Sequence, residues 1–166
     1  MASCLLFTLL FCSMFIGANT QCASQACSYT CPTGWTQHEC YCYQFQGVER
    51  DWASAERFCI QLKGNLASIK NTATYTFLTN FIFSATGSHR VTWAGGNDAV
   101  KEGVWMWTDG SEYTFSGWNA GEPNNVNGGE SCMEMNHGGP LKANDEKCTK
   151  TSPFVCQKKA TMIIYA

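Results

Sequence analysis

The loop that decides the fold reads GEPNNVNGGESC from Gly121 to Cys132, and a second piece, NDEKC, follows from Asn144 to Cys148. Together they supply carboxylates, amides and a proline in a glycine-rich context with few helix-forming residues. Hard oxygen donors of this kind suit Ca²⁺, which takes roughly six to eight oxygen ligands in flexible geometry. Neither piece contains a histidine, so a zinc or copper site is disfavoured.

Each piece taken alone is also typical of a solvated turn, in which Asn, Gly and Glu are common. The calcium interpretation is favoured because two oxygen-rich pieces occur together with a fixed set of cysteines.

The cysteine content indicates a secreted protein held together by disulfides. The chain has 11 cysteines in 166 residues, and two of them lie in a predicted signal peptide over residues 1–20. That segment is apolar, ends in small residues and is too short for a confident transmembrane helix, although it lacks a Lys or Arg near its start. The remaining cysteine density suits an oxidising compartment. A metal site at His38, Cys40 and Cys42 is an alternative for one part of the chain, and disulfides are favoured over it.

The length and charge balance limit the classes of partner. A chain of 166 residues is long enough for one domain with its own core. The chain carries 11 Lys+Arg and 13 Asp+Glu, and the sequence shows no basic patch interleaved with aromatic residues. Neither nucleic acid nor membrane insertion is therefore predicted.

The hydrophobic pattern predicts two helices followed by short strands. Asp51 is predicted to cap a helix from Trp52 to Leu62 that ends at Gly64, and a second helix is predicted from Thr72 to Phe83. Short strands between Gly- and Asn-rich turns are predicted at residues 91–96, 104–107, 131–136 and 154–158. Helices first and strands later in one disulfide-tied unit indicate an α+β fold. The tryptophans at positions 93, 105, 107 and 118 are interpreted as core residues.

An ordered set of motifs resembles the C-type lectin family in its long form, which has an N-terminal hairpin. In chain order the motifs are Cys-Pro-Thr-Gly-Trp (31–35), Cys-Tyr-Gln-Phe (42–45), Asn-Leu-Ala-Ser-Ile (65–69), Trp-Ala-Gly-Gly (93–96), Trp-Met-Trp-Thr-Asp-Gly (105–110), Glu-Pro-Asn (122–124), Glu130, Cys132, Asn-Asp (144–145), Cys148 and Cys156. Each motif is weak alone, but their order and spacing hold over residues 31–158. The resemblance implies a C-type lectin domain there, between an N-terminal extension (21–30) and a C-terminal tail (159–166). The implied fold has two helices and short antiparallel sheets, with a long calcium-binding loop region.

The resemblance also implies how the cysteines pair. The family pattern gives Cys31–Cys42, Cys59–Cys156 and Cys132–Cys148. Cys22, Cys27 and Cys40 remain, and at most one further intrachain bridge can form among them. We predict that this bridge is Cys27–Cys40 and that Cys22, close to the new N-terminus, forms an interchain disulfide in a homodimer.

The resemblance implies one Ca²⁺ site and a sugar site at the same place. The implied calcium ligands are Glu122, Asn124, Glu130, Asn144 and Asp145, with a cis peptide bond between Glu122 and Pro123. The first four would also bind two vicinal sugar hydroxyls, because a metal-bound hydroxyl can donate to a carboxylate and accept from an amide. The Glu-Pro-Asn order resembles the mannose-type motif, which accepts equatorial 3- and 4-hydroxyls. The implied function is that of a secreted, calcium-dependent lectin that recognises or agglutinates glycans in innate defence.

The sequence departs from the family pattern at two places. Ala143 stands where the family has a tryptophan. A second calcium site of some members is partly echoed by Asp98, Glu102 and Asn125, but Ser131 stands where a carboxylate is expected. High-affinity occupancy of this second site is not predicted, and plain loop charges explain Asp98 and Glu102 equally well.

Two other classes of function are considered. The type II antifreeze proteins of fish resemble the same pattern, and some of them depend on calcium, so ice binding is the alternative function. Enzymatic activity is not expected, because His38, His89 and His137 are scattered at spacings that identify neither a nucleophile–base pair nor a zinc motif.

Overall fold

The computed structural model describes residues 28–163, so the predicted signal peptide, Cys22 and Cys27 lie outside the described residues. Two helices and ten strands are assigned in this range. They are β1 (Ser28–Thr30), β2 (Thr36–His38), β3 (Tyr41–Arg50), α1 (Trp52–Gln61), β4 (Asn65–Leu66), α2 (Thr72–Thr86), β5 (Thr92–Asn97), β6 (Met106–Trp107), β7 (Cys132–Met135), β8 (Ala143–Glu146), β9 (Ser152–Lys159) and β10 (Thr161–Ile163). No helix among these residues has the length and apolar character needed to cross a membrane.

Eight of the strands form one sheet in the order β2-β3-β9-β5-β7-β8, with β4 joined to β9 and β6 joined to β5. The pairings are antiparallel except that of β5 with β9, which is parallel where Trp93 lies opposite Phe154. The side chains of β7 are buried along its whole length, and those of β5 and β9 along most of theirs. With its two helices and predominantly antiparallel sheet, the molecule has the α+β fold that the sequence predicts.

Both helices begin at side-chain caps. The Asp51 carboxylate accepts the Ser54 N–H at 2.9 Å, which confirms the predicted cap of α1. Asn71 caps α2 in the same way through the Thr74 N–H at 2.7 Å. The second helix runs to Thr86, beyond the predicted end at Phe83, because the left-handed conformation that terminates it is adopted only at Gly87, where φ is 74°.

The core consists of two clusters that lie against the two helices. One contains Leu78 and Ile82 of α2 with Met135 of β7, and the other contains Cys59 of α1 with Phe154 of β9. All five of these side chains are at most 1% exposed. Burial on this scale contributes about 25 cal/mol per Å² of apolar surface, so the clusters are the main source of stability.

The tryptophans at positions 93, 105, 107 and 118 pack in or against the core, as the sequence analysis expected. Trp93 and Trp107 are buried, whereas Trp105 and Trp118 are half-buried and pack against the α2 cluster. The indole N–H of Trp93 donates to the Arg50 carbonyl at 3.0 Å, so the most deeply buried ring has its polar atom paired.

Three disulfides form as the family resemblance implies: Cys31–Cys42, Cys59–Cys156 and Cys132–Cys148. The Cys59–Cys156 bridge joins α1 to β9 across a sequence separation of 97 residues. Closing a loop of that size stabilises a fold by roughly 4–5 kcal/mol in the chain-entropy model. Cys40 is also disulfide-bonded. The predicted Cys27–Cys40 bridge and the interchain Cys22 bridge fall outside the described residues and stay predictions.

The two ends of the described chain pair with each other. Strands β1 and β10 form a separate two-stranded antiparallel sheet in which Ser28 lies opposite Ile163. The segments predicted as an N-terminal extension and a C-terminal tail therefore contribute regular structure, and strand β9 itself continues to Lys159, one residue past the predicted domain end.

A buried polar network holds the segment after β6 against β9. Both carboxylate oxygens of Asp109 accept hydrogen bonds. Oδ1 accepts them from the backbone N–H of Ser111 at 3.0 Å and from its hydroxyl at 2.6 Å. Oδ2 accepts them from the Ser68 hydroxyl at 2.9 Å and from Gln157 Nε2 at 2.7 Å. The Lys70 ammonium lies 3.5 Å away. Burial raises the pKa of Asp109, but the hydrogen bonds from Ser111 and Ser68 and the charge of Lys70 outweigh it and hold this pKa below its usual value.

We expect Asp109→Asn to lower the free energy of unfolding at pH 7 by about 1–3 kcal/mol, because it places an amide N–H₂ among groups that are themselves donors. Because the pKa of Asp109 is lower in the folded than in the unfolded protein, its ionised carboxylate stabilises the fold. This stabilisation is fully present above the unfolded-state pKa and is lost as the pH falls through the folded-state pKa. The deficit should therefore shrink in acid. Urea unfolding at pH 7 and at acidic pH measures it, with the exposed neighbour Glu112→Gln as a control that should change little. An equal deficit at both pH values would contradict the account.

Candidate calcium-binding site

The loop from Gly121 to Glu130 lies beside strand β8, which carries Asn144 and Asp145. The peptide bond between Glu122 and Pro123 is cis, as the resemblance implied. Strands β7 and β8 pair antiparallel with Glu134 opposite Asn144, so the ends of the two oxygen-rich pieces are fixed by the sheet. The cysteines at their ends, Cys132 and Cys148, are joined by a disulfide.

Asp145 connects the two pieces directly. Its carboxylate accepts the backbone N–H of Asn124 at 3.0 Å on Oδ1 and that of Asn125 at 2.7 Å on Oδ2. Asp145 is 1% exposed. Two backbone donors on a buried carboxylate satisfy its charge and fix the position of the loop relative to β8.

The loop is further held by its own polar side chains. The Val126 N–H is shared between Asn124 Oδ1 at 3.1 Å and Glu130 Oε2 at 3.0 Å, and Asn125 Oδ1 accepts the Glu130 N–H at 3.0 Å. Asn125 and Asn127 both have positive φ, which asparagine tolerates better than most residues. The predicted ligands Asn124 and Glu130 are thus brought to the same turn.

Glu122 lies close to the carboxylates of Asp145 and Glu130. Its Oε2 atom is buried and has no hydrogen-bond partner among residues 28–163. Burial, and after it the neighbouring carboxylates of Asp145 and Glu130, raise the pKa of Glu122, and the nearby His137 offsets part of this effect. A buried oxygen without a donor, among like charges, is the arrangement that a divalent cation would relieve.

Asn144 faces a charged cluster beneath the loop. Its Nδ2 donates to the Asp145 carbonyl at 2.6 Å and to Glu134 Oε1 at 3.2 Å. Glu134 is 0% exposed, and its carboxylate also accepts His137 Nδ1 at 2.7 Å and Lys150 Nζ at 2.8 Å. Lys150 Nζ binds Glu146 at 2.9 Å as well. Burial alone would lower the pKa of Lys150, but its hydrogen bonds to Glu134 and Glu146 outweigh that effect and raise it.

The sequence analysis missed Glu134. The signal for it was present in the stretch Cys-Met-Glu-Met (132–135), where one acidic residue interrupts an otherwise apolar strand. A charged residue in a fully buried strand requires a partner nearby. The structure supplies that partner from outside the strand, through Lys150.

The residues of the possible second site lie next to the first. Asp98 is 2% exposed; its Oδ2 accepts the Gly103 N–H at 2.8 Å, and its Oδ1 has no hydrogen-bond partner in the described part of the chain. Glu102 accepts a short hydrogen bond from Asn125 Nδ2. Burial and the charges of Asp98 and Asp145 raise the pKa of Glu102 despite that bond. The three residues are therefore close together, and their site remains a prediction.

The donor set fits calcium better than a softer metal. Within residues 28–163, no group of three or more His, Cys, Asp or Glu side chains is arranged to hold a metal ion. This includes Glu122, Glu130 and Asp145, so these three carboxylates do not converge on one point here, and Asp145 binds the loop backbone instead. Oxygen-only mixtures of amide and carboxylate groups are typical of Ca²⁺. The residue types of the implied set are those that Ca²⁺ prefers, and the Glu122 oxygen without a hydrogen-bond partner is the feature that favours an ion there.

Comparison with known proteins identifies the family. The model of the lectin C-type domain family matches residues 48–158. The chain belongs to the C-type lectin family. It is 43% identical to the galactose-specific lectin nattectin of Thalassophryne nattereri, over 92% of this chain and 93% of that protein. It is 42% identical to ladderlectin of Oncorhynchus mykiss, over 74% of this chain and 65% of that protein. A C-type lectin mannose-binding isoform of Oxyuranus scutellatus is 34% identical, over 91% and 96% of the two chains.

Solved structures of antifreeze proteins share the fold of this C-type lectin domain. A calcium-independent type II antifreeze protein superposes with a TM-score of 0.71 at 26% identity, covering 81% of this chain and 98% of the other. A Ca²⁺-dependent type II antifreeze protein in its Ca²⁺-free form gives a TM-score of 0.72 at 31% identity, covering 78% and 100% of the two chains. The C-type lectin fold predicted from the motifs is confirmed. The relatives are named lectins, which bind carbohydrates without catalysis, in agreement with the expectation of no enzymatic activity.

Ala143, the residue that replaces the family tryptophan, is buried in the core. It is 0% exposed, belongs to the α2 cluster and lies opposite Met135. The adjacent Trp118 bridges to it, and the Asn119 N–H donates to its carbonyl at 2.9 Å. Neighbouring residues surround Ala143, so we expect a tryptophan at position 143 to overpack the core.

We expect Lys150→Met to lower the free energy of unfolding by about 2–4 kcal/mol, because it leaves the carboxylate of Glu134 buried without its ammonium partner. Lys147→Met is the matched control: Lys147 is exposed, and no ion pair to it is found among the described residues. It should change stability by no more than about 0.5 kcal/mol. Urea unfolding of both variants without added calcium makes the comparison, and equal effects would show that the buried pair is not important for stability.

Proposed function

We propose that this C-type lectin is a secreted protein that binds carbohydrate in a calcium-dependent manner with mannose-type preference. The observation that carries the proposal is the buried Glu122 oxygen without a hydrogen-bond partner, next to the carboxylates of Asp145 and Glu130. Its lectin relatives bind carbohydrate. The proposal adds that binding by this protein needs calcium, prefers mannose and takes place outside the cell. Glycan recognition or agglutination in innate defence is the biological role we infer for it.

The ion would be held by Glu122, Asn124, Glu130, Asn144 and Asp145. A bound Ca²⁺ would supply positive charge that attracts two vicinal hydroxyls of a sugar. The protein's own part is to hold the surrounding acceptors and donors in place. Asp145 fixes the loop through two backbone N–H groups, and Glu134 holds the Asn144 amide on β8. Each hydroxyl then meets one carboxylate and one amide, from Glu122 with Asn124 and from Glu130 with Asn144.

The preference for mannose rests on the order of acid and amide in Glu-Pro-Asn (122–124). The opposite order, Gln and Asp, resembles the galactose-type motif of the family. One relative at 43% identity is named galactose-specific and another at 34% is named mannose-binding, so relatedness does not decide between the two sugars. A direct comparison of mannose and galactose binding by this protein decides between them.

We expect the protein to be retained on mannose–agarose with Ca²⁺ and released by EDTA. A single monosaccharide site should bind with a dissociation constant on the order of 1 mM, about −4 kcal/mol. Glu130→Gln should weaken calcium binding by on the order of tenfold or more, because it removes a charged ligand. The rise of the unfolding temperature on calcium titration measures this without sugar. Glu112→Gln, an exposed carboxylate outside the five proposed ligands, is the matched control. Retention on mannose in excess EDTA would falsify the proposal.

We expect the pair Glu122→Gln and Asn124→Asp to move the preference from mannose towards galactose. The exchange keeps the charge at the ion constant and swaps donor and acceptor around one hydroxyl, so affinity for the ion should be little changed. Inhibition of binding by free mannose and free galactose gives the ratio, and the calcium-induced rise in unfolding temperature shows that the site is intact. An unchanged ratio with calcium bound would mean that residues outside this motif set the specificity.

Ice binding is the second candidate, because antifreeze proteins with and without calcium dependence share this fold. Thermal hysteresis of the purified protein, combined with no binding on a glycan array, would decide for ice. Glycan binding without thermal hysteresis decides for the lectin.

A further inference from the structure

A cleft that lies outside the loop region has four lysines among its lining residues. This cleft has a volume of about 520 Å³ and is bounded by Tyr41 of β3, the turn at residues 63–65, the segment 109–111 and the end of β9. It contains none of the proposed calcium ligands. Four of the chain's 11 Lys and Arg residues line it, but only one of its 13 Asp and Glu residues does. The cleft is therefore basic although the whole chain carries a net charge of −2.

The single acidic residue of the cleft, Asp109, is already committed to internal contacts. Its two oxygens accept hydrogen bonds from two serines and a glutamine, and its ion pair is with Lys70 at 3.5 Å. Lys63, Lys158 and Lys159 form no ion pair with a carboxylate of residues 28–163. The ammonium groups of Lys63 and Lys159 are thus available to an external anion, whereas that of Lys158 lies over Trp35, which does not line the cleft.

Two of the lysines are held in fixed positions by aromatic residues. Lys70 Nζ lies 4.2 Å from the centre of the Tyr41 ring and 2.5 Å from the Tyr41 hydroxyl. Lys158 Nζ lies 3.9 Å from the centre of the Trp35 ring and 3.5 Å from the Leu62 carbonyl. A lysine that is positioned before binding loses less conformational entropy when an anion arrives.

The floor of the cleft is rigid backbone. Tyr41 and Lys159 lie directly opposite each other on β3 and β9, and Asn65 lies opposite Gln157 on β4 and β9, so these side chains share one face of the sheet. A Cβ atom added to Gly64 would lie 2.1 Å from the Gln157 carbonyl, so the turn is packed directly against β9. The charges of the cleft are therefore spaced by the sheet.

We propose that this cleft binds a sulfated segment of an acidic polysaccharide, independently of calcium. Several ammonium groups around an open cleft match anionic groups repeated along a chain better than one compact ion. A nucleic acid is the less favoured polyanion, because single-stranded nucleic acids bind by stacking bases on free aromatic rings. The aromatic ring that lines this cleft, that of Tyr41, is covered by Lys70. The protein would then have two glycan sites of different chemistry.

The test is salt elution from heparin–agarose in EDTA, a condition that disables the proposed calcium site and so keeps the two proposals separate. We expect wild-type protein to be retained. The double variant Lys63→Glu with Lys159→Glu should bind on the order of tenfold more weakly and elute at lower salt. Lys101→Glu with Lys142→Glu is the matched control, since it makes the same charge change at exposed lysines outside the cleft. This control should elute near the wild type, and all three proteins should have similar unfolding temperatures.

Four outcomes would overturn the proposal. They are no retention of the wild type, equal shifts in both double variants, undiminished retention on desulfated heparin, and tighter retention on single-stranded DNA–cellulose that the cleft variant alone loses. The second outcome would mean that net charge and not the cleft is responsible. The last would make nucleic acid the partner.

Discussion

The position of the long loop depends on the carboxylate of Asp145. This buried group receives the N–H groups of Asn124 and Asn125, and without it the loop would have no direct attachment to β8 at that point. Asn124 and Asp145 are 21 residues apart in the sequence. The Cys132–Cys148 bridge and the pairing of β7 with β8 bring them within hydrogen-bonding distance. The same residue is also one of the proposed ligands. One side chain therefore positions the loop, and in the proposal it would also bind the ion.

Beneath that attachment lies a layer of buried charge. Glu134 is enclosed by the sheet, and the ammonium of Lys150 compensates its charge. Its carboxylate also forms hydrogen bonds with the His137 ring and the Asn144 amide. Burying a carboxylate in this way is costly unless each oxygen is bonded, and here each is. The cluster ties Lys150, two residues after Cys148, to Glu134 of β7 and Glu146 of β8. The loop thus rests on a specific polar arrangement and not on apolar packing alone.

Much of this structure was predictable from local sequence signals. The Asp51 cap, the two helices, the α+β class and the motif order of the family are all encoded in short stretches with strong patterns. The three disulfides followed from family spacing. The sequence did not reveal strand β8, because Ala-Asn-Asp-Glu (143–146) alternates too weakly to predict a strand and is held there by pairing with β7.

The sequence motif suggests which residues bind calcium, and that assignment stays a prediction; the contacts that hold these residues in place could not be inferred from the sequence. The motif named the candidate ligands, and the structure brings Glu122, Asn124 and Glu130 next to Asp145. The partners of Glu134 could not be inferred, because they depend on the register of β7 with β8 and on a lysine 16 residues away. The basic cleft was missed for a similar reason. Its lysines are spread between positions 63 and 159 and form no run, so only the folded sheet collects them.

The pairing of β1 with β10 has a mechanical consequence. Because Ser28 and Ile163 lie opposite each other, the two ends of the described chain leave from neighbouring points roughly 5 Å apart. A pulling force applied to both ends would act across the hydrogen bonds of this small ribbon and open them one after another, as a zipper opens. Cys31–Cys42 directly follows β1 and is a covalent stop to this opening, and the predicted Cys27–Cys40 bridge would be a second stop placed ahead of the ribbon. A linker of a few residues could also close the chain into a ring there, which would leave the long loop free to carry new ends.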